Sequence, residues 1–140
     1  MYKMCARTKK EDTKMTPKFY KCKACGQIVA AVEKKACPVK CCGEAMEEIT
    51  ANTVDAAKEK HVPVVTVEGN IVKVAVGSVE HPMTDAHLIQ WVCLETSQGM
   101  QRKVLTPADK PYAEFALTDG DKAVAAYEYC NLHGLWKAEI

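Results

Sequence analysis

From residue 62 to the C-terminal end, short apolar runs alternate with turn signals. Residues 62–67 and 71–76 are rich in β-branched side chains and flank Glu68-Gly69-Asn70, a pattern typical of a β-hairpin. Five more strands are predicted at 88–96, 101–105, 113–117, 122–129 and 135–140. About seven short strands separated by turns predict an antiparallel β-sandwich.

Two local details of this pattern carry specific expectations. Alternation over residues 88–96 places Ile89, Trp91 and Cys93 on one face of a strand, where we expect Cys93 to be a core residue. Residues 124–127 also have helical propensity, so the pattern leaves this segment ambiguous.

The first third of the chain differs from this β pattern. Residues 1–17 are polar and mostly basic without periodicity, and we expect a flexible N-terminal tail with a free thiol at Cys5. Residues 18–51 form a small metal-binding domain that is too short for a large core and therefore depends on its metal to fold. We expect a linker at 52–60 and the β-sandwich domain at 61–140, so the chain is mainly β.

Composition narrows the cellular setting. The 19 basic and 18 acidic residues nearly cancel, which gives no indication of nucleic-acid or membrane-surface binding. No apolar run approaches the ~20 residues of a membrane span, and the start of the chain has no apolar signal-peptide core. We therefore expect a cytoplasmic protein whose clustered cysteines are metal ligands rather than disulfides.

The cysteine spacing predicts a thiolate metal site in residues 18–51. Cys22-x-x-Cys25 is followed by Gly26, which permits the turn that presents two sulfurs to one ion. The second pair is the adjacent Cys41-Cys42, whose strained bite should distort the site from an ordinary zinc ribbon. A ribbon that uses Cys37 with one member of that pair is the alternative. Four thiolates suit either iron or zinc.

A second site is predicted from the histidines. The chain has four histidines, and one of them stands with a cysteine in a Cys-x-x-His spacing; the candidate ligands are His61, His81, His87, Cys130 and His133. A single histidine on a strand is usually a surface or core residue, so the prediction depends on all four converging. Four imidazoles and one thiolate suit iron with one open position, and this implies redox chemistry on a small molecule.

Two charged residues directly precede the first histidine. If His61 binds the metal, Glu59 and Lys60 lie near the open position. Lys60 would attract an anionic substrate and supply local acidity, and Glu59 would offer a hard carboxylate that prefers ferric iron. Without such a site they are an ordinary solvated acid-base pair.

These motifs resemble the desulfoferrodoxins, the two-iron superoxide reductases, from about Phe19 to the C-terminal end. Tyr20-Lys21-Cys22-x-x-Cys25-Gly26 with Cys41-Cys42-Gly43 is similar to the desulforedoxin-like domain of that family. Three further segments resemble the catalytic domain of that family. They are Glu59-Lys60-His61-Val62-Pro63, Gly77-Ser78-Val79-x-His81-Pro82-Met83 with His87, and Glu128-Tyr129-Cys130-Asn131-Leu132-His133-Gly134.

The resemblance implies a fold, a reaction and partners. The second domain would be an immunoglobulin-like antiparallel β-sandwich that reduces superoxide to hydrogen peroxide at an iron with four His and one Cys ligands. Glu59 would occupy the sixth position in the ferric state, and Lys60 would attract superoxide. The first domain would hold an iron on four cysteines, with zinc possible in recombinant protein. A rubredoxin-like electron donor and a homodimer are also implied. An electron-transfer protein without catalysis and a zinc-ribbon binding module are the rival hypotheses.

Overall fold

The computed structural model describes residues 16–33 and 35–140, which divide into two compact units between Ile49 and Thr50. Most of the predicted N-terminal tail, including Cys5, lies outside the described residues. The chain is mainly β, as predicted. In the described part of the chain, no helix has the length and apolar composition that crossing a membrane requires.

The first unit is built from five short strands. They are β1 (Lys18–Lys21), β2 (Ile28–Ala31), β3 (Lys40–Cys41), β4 (Glu44–Ala45) and β5 (Glu47–Glu48). A three-stranded antiparallel sheet has the order β2-β1-β5, and β3 pairs with β4 as a separate hairpin. Its small core consists of Tyr20, Cys22 and Met46.

The second unit is an immunoglobulin-like antiparallel β-sandwich with a short helix before its first strand. Its elements are α1 (Lys58–His61), β6 (Pro63–Glu68), β7 (Ile71–Val76), β8 (Ile89–Thr96), β9 (Gly99–Val104), β10 (Tyr112–Ala116), β11 (Ala123–Cys130) and β12 (Gly134–Glu139). One sheet has the order β10-β7-β6 and the other β12-β11-β8-β9. The seven predicted strands are present, and the ambiguous segment 124–127 lies within β11.

The core lies between the inner faces of these two sheets. Val72 and Val74 from β7 and Phe115 from β10 pack with Leu94 from β8 and Ala126 from β11. All five are nearly or completely buried, because alternate residues of each strand point inward. Packing in this core fixes the ends of β7, β8 and β11. The predicted ligands His81, His87 and Cys130 lie at or next to these strand ends.

A bulge changes the face predicted for β8. The register between β8 and β11 shifts between Tyr129, which pairs with Trp91, and Cys130, which pairs with Ile89. Ile89 packs in the sandwich core, whereas Trp91 stacks on Tyr129 with ring centroids 5.5 Å apart. The shared face predicted for Ile89, Trp91 and Cys93 is therefore divided at the bulge, although Cys93 is fully buried as expected.

Candidate metal centres

Three separate segments of the second unit bring histidine and cysteine side chains to one point. His61 ends α1, His81 and His87 lie in the connection from β7 to β8, and Cys130 ends β11. Their ligand atoms all lie within 4.8 Å of one another. His133, in the turn after Cys130, joins them, because its Nδ1 lies 3.1 Å from Nε2 of His61 and 3.8 Å from Sγ of Cys130.

Backbone carbonyls fix which nitrogen each ring turns inward. Nδ1–H of His61 donates to the carbonyl oxygen of Ala57 over 2.7 Å, and Nδ1–H of His81 donates to that of Pro82 over 2.6 Å. A carbonyl oxygen can only accept, so Nδ1 carries the proton in both rings and Nε2 keeps its lone pair. The outward bond thus orients each imidazole as a ligand.

The donor set has the features expected of a metal site. Nε2 of His81 and Nε2 of His87 are buried without a hydrogen-bond partner, which is costly unless a ligand completes them. Two nitrogens bound at about 2.1 Å and at right angles would be about 3 Å apart. The 3.1 Å between His61 and His133 agrees with this spacing. The residues therefore fit a single metal ion.

Burial also keeps the imidazoles in the form that binds metal. It lowers the pKa of His81 to about 4, and it is the main cause of the lowered pKa of His61 and of His87. These rings are therefore neutral at pH 7. Burial raises the pKa of Cys130, and hydrogen bonds from the backbone N–H groups of Leu132 and His133 offset part of that rise. Because the pKa stays raised, a bound cation is needed to favour the thiolate.

The four predicted cysteine ligands of the first unit also form a cluster. The sulfurs of Cys22, Cys25, Cys41 and Cys42 lie within 4.8 Å of one another. Sγ of Cys25 is 3.6 Å from that of Cys41, which is 3.9 Å from that of Cys42. Sulfurs bound tetrahedrally at about 2.3 Å would be about 3.8 Å apart, so the four thiols fit one ion. Cys37 lies outside this cluster and is disulfide-bonded, so the expectation that the clustered cysteines form no disulfide is wrong for this residue.

Backbone conformation explains how adjacent cysteines share one site. Cys42 has a φ of 52° and Gly43 a φ of 78°, so the chain reverses at the pair and both sulfurs point the same way. On the other side, Gly26 has a φ of 78° and its N–H donates to the carbonyl oxygen of Cys22 over 2.9 Å. This closes the turn that presents Cys22 and Cys25.

Glu59 and Lys60 lie on α1 next to His61, and both are exposed. The charge of Lys60 acts on the histidine cluster. It is the third cause of the lowered pKa of His87, smaller than burial and the charge of His133. Glu59 acts in the opposite direction on the pKa of His61, as the smallest of several influences. The predicted pair is therefore within electrostatic reach of the site.

The sequence did not indicate the groups that hold these ligands. Residues 58–60 of the helix that ends at His61 belong to the predicted linker, and the carbonyl partners at Ala57 and Pro82 have no side-chain signature. Trp136 stacks on His61 with ring centroids 4.9 Å apart. Its position at the start of β12, three residues after His133, is the one sequence feature that could have identified it.

The chain is similar to known proteins over nearly its whole described length. The family model for desulfoferrodoxin matches residues 53–139, and the model for the desulfoferrodoxin N-terminal domain matches residues 15–49. The desulfoferrodoxin of Syntrophotalea carbinolica is 49% identical over 120 residues, which cover 86% of this chain and 94% of that protein.

Solved structures give the same result. The superoxide reductase of Treponema pallidum has a TM-score of 0.75 at 44% identity and covers 89% of this chain and 99% of its own. The superoxide reductase (1Fe-SOR) of Giardia intestinalis has a TM-score of 0.52 at 33% identity, over 59% of this chain and 98% of its own.

Proposed function

The chain belongs to the desulfoferrodoxin family, and from that premise we propose that it is a superoxide reductase. Superoxide takes up one electron and two protons and leaves as hydrogen peroxide, and no dioxygen forms. The observation that carries this proposal is the convergence of four imidazoles and one thiolate from distant segments of the sandwich. A structural zinc site would need only four ligands.

The residues assigned to the catalytic iron are His61, His81, His87, Cys130 and His133. When bound there, ferrous iron supplies the single electron that superoxide requires. The rings of His61 and His81 are held by their Nδ1–H bonds to backbone carbonyls, so they need little reorganisation to bind. The second iron is assigned to Cys22, Cys25, Cys41 and Cys42, where zinc can substitute in recombinant protein.

Lys60 and Glu59 are the proposed catalytic side chains around this site. The exposed ammonium group of Lys60 attracts the superoxide anion and provides a proton source where it binds. The carboxylate of Glu59 is a hard ligand of the kind that prefers ferric to ferrous iron. The support for both roles is their place on α1 directly before His61.

The cellular setting follows from the same family membership. We propose a cytoplasmic protein that detoxifies superoxide during oxidative stress, accepts electrons from a rubredoxin-like donor and functions as a homodimer. The domain division at 18–51, 52–60 and 61–140 is part of this proposal, with residues 58–60 of α1 at the end of the connecting segment. The four free thiols of the cluster must stay reduced to bind metal, which favours a reducing compartment, whereas the disulfide at Cys37 does not.

The test measures metal content, colour and products on one sample. Iron per chain and the visible spectrum before and after mild reduction establish whether both sites hold iron. Pulse radiolysis then generates superoxide in the presence of the reduced protein. We expect one hydrogen peroxide per superoxide consumed and no dioxygen. Iron-loaded, reduced protein that leaves superoxide to decay at its uncatalysed rate would refute the proposal in favour of an electron-transfer protein without catalysis.

A further inference from the structure

One conspicuous polar side chain in the metal-binding region has no part in the proposed reaction. Asn131 directly follows the ligand Cys130, is half-buried, and is neither charged nor a good metal donor. It lies in the turn between β11 and β12 that also carries His133. Its amide can both donate and accept, so its partners indicate what it holds.

Both ends of the Asn131 amide bind the backbone of another ligand segment. Nδ2–H donates to the carbonyl oxygen of Ala86 over 2.9 Å, and Oδ1 accepts from the backbone N–H of Leu88 over 3.0 Å. These two residues flank His87. The backbone N–H of Asn131 adds a third bond, to the carbonyl oxygen of Leu88 over 3.2 Å.

The segment that receives these bonds is also tied at its start, where Ser78 and Val79 donate to the carbonyl oxygen of Glu59, but those bonds lie far from His87 along the segment. Residues 77–88 connect β7 to β8 without regular secondary structure. Within the segment, Thr84 and His87 exchange two backbone bonds. The N–H of His87 donates to the carbonyl oxygen of Thr84 over 3.2 Å, and the N–H of Thr84 donates to the carbonyl oxygen of His87 over 2.9 Å. That contact closes a local turn, but it does not connect the turn to the rest of the site. Asn131 makes this connection across more than forty residues of chain.

We infer that Asn131 is a positioning residue that fixes His87 relative to Cys130 and His133. The inference rests on the proposed function only in taking these three side chains as ligands of one ion. Without the amide, the backbone around His87 keeps its local turn and the backbone bond from Asn131 to Leu88, but it loses the two side-chain bonds that hold both flanks of His87 to the Cys130 turn. His87 then spends less time where its unpartnered Nε2 can bind, and the metal leaves faster.

The chain contains a matched control for this role. Asn52 also uses its amide twice on one strand: Nδ2–H donates to the carbonyl oxygen of Lys137 over 3.1 Å, and Oδ1 accepts from the Lys137 N–H over 2.9 Å. That strand position flanks no proposed ligand. Asn52 has a φ of 61°, so the control substitution is Asn52→Gly, which removes both bonds without backbone strain.

The experiment follows loss of ferrous iron from the full-length, iron-loaded protein to a coloured ferrous chelator. The wild-type protein, Asn131→Ala and Asn52→Gly are compared by stopped-flow absorbance. Iron on the four cysteines should leave in a separate phase that is equal in all three and serves as an internal reference. We expect the histidine-site phase to be about 10–100-fold faster in Asn131→Ala and within about twofold of wild type in Asn52→Gly. Equal acceleration in both variants, or none in Asn131→Ala, would overturn the inference.

A second variant covers the case in which Asn131→Ala does not fold. Asn131→Asp has the same shape and keeps the acceptor for Leu88, but it loses the donor to Ala86. Its negative charge would by itself retain a cation, so faster iron loss supports positioning and unchanged or slower loss overturns it. Wild-type protein that retains iron but does not reduce superoxide would refute the proposed function and leave this comparison valid. Wild-type protein without histidine-bound iron would overturn both.

Discussion

At the scale of single residues, the site depends on charges placed beside neutral ligands. Lys60 is exposed next to His61, and its charge reaches His87. Burial lowers the pKa of His61, His81 and His87, so these three rings are uncharged at pH 7 and do not repel a cation. Exposed charged groups around the cluster therefore attract the anion, whereas the buried neutral ligands bind the metal.

Replacing Lys60 with alanine should slow the reaction with superoxide about tenfold at low ionic strength and weaken its dependence on salt. The reason is the loss of a positive charge beside the point where the anion binds. Pulse radiolysis at several salt concentrations measures both effects. Lys58→Ala removes the same charge two residues earlier on α1, where the side chain points away from that of Lys60, and should change the rate much less. Equal effects of the two substitutions would assign the steering to net charge alone.

The lowered pKa of His81 predicts a pH dependence of stability in metal-free protein. Its pKa is about 4 when folded, against an ordinary value of 6.5, so between these values the unfolded chain binds the extra proton. The free energy of unfolding should therefore be highest above about pH 6.5 and fall as the pH drops towards 4. Urea denaturation of metal-free protein between pH 7 and 5 measures the slope. His81→Gln should reduce that slope, and an unchanged slope would contradict the assignment.

At the scale of elements, a close backbone contact places the helix that carries His61. A Cβ added to Gly77 would lie 2.6 Å from the carbonyl oxygen of Glu59 and 3.1 Å from that of Val62. These are backbone atoms, which cannot move aside without displacing the segment. The N–H of Val79 and the hydroxyl of Ser78 also donate to the carbonyl oxygen of Glu59. The turn after β7 therefore positions α1, and with it Lys60 and His61.

Gly77→Ala should consequently disturb the histidine site and the fold together. We expect the free energy of unfolding to fall by about 1–3 kcal/mol, as for other overpacked sites, and the iron bound per chain to decrease. Gly99→Ala is the matched control, because a Cβ there meets nothing within 4 Å. Urea denaturation and metal analysis of both variants provide the comparison. If Gly77→Ala retains full iron and stability, the turn does not position α1.

At the scale of the whole molecule, the two units differ in how much apolar surface supports them. Among the described residues, four apolar side chains are buried in the first unit and eighteen in the second, where they come from both sheets of the sandwich. A small core rarely balances the loss of chain entropy, so the first unit needs its metal to stay folded. The second unit has enough buried apolar area to fold without metal.

Removing metal should therefore unfold one unit and leave the other folded. We expect a Cys22→Ser, Cys25→Ser double variant to lose amide protection in residues 18–48 and to keep it in the strands from β6 to β12. Hydrogen exchange followed by mass spectrometry distinguishes the two regions. His81→Gln, which weakens the other metal site, is the reciprocal control and should leave residues 18–48 protected. Loss of protection throughout the chain in the double variant would contradict independent stability.

The sequence by itself determined the strand pattern and the donor chemistry. The seven strands of the sandwich follow from apolar alternation and turn residues, which act locally. The spacing of cysteines and histidines gave the candidate donors from which the two clusters are built, with Cys37 left open as an alternative. Only the tertiary structure decided what orients them. The carbonyl groups of Ala57 and Pro82 lie only four residues and one residue from the rings that they hold, but any residue can provide a carbonyl group, so they have no sequence signature. The bulge beside Cys130 and the amide of Asn131 act between segments far apart in the chain, which only the fold brings together.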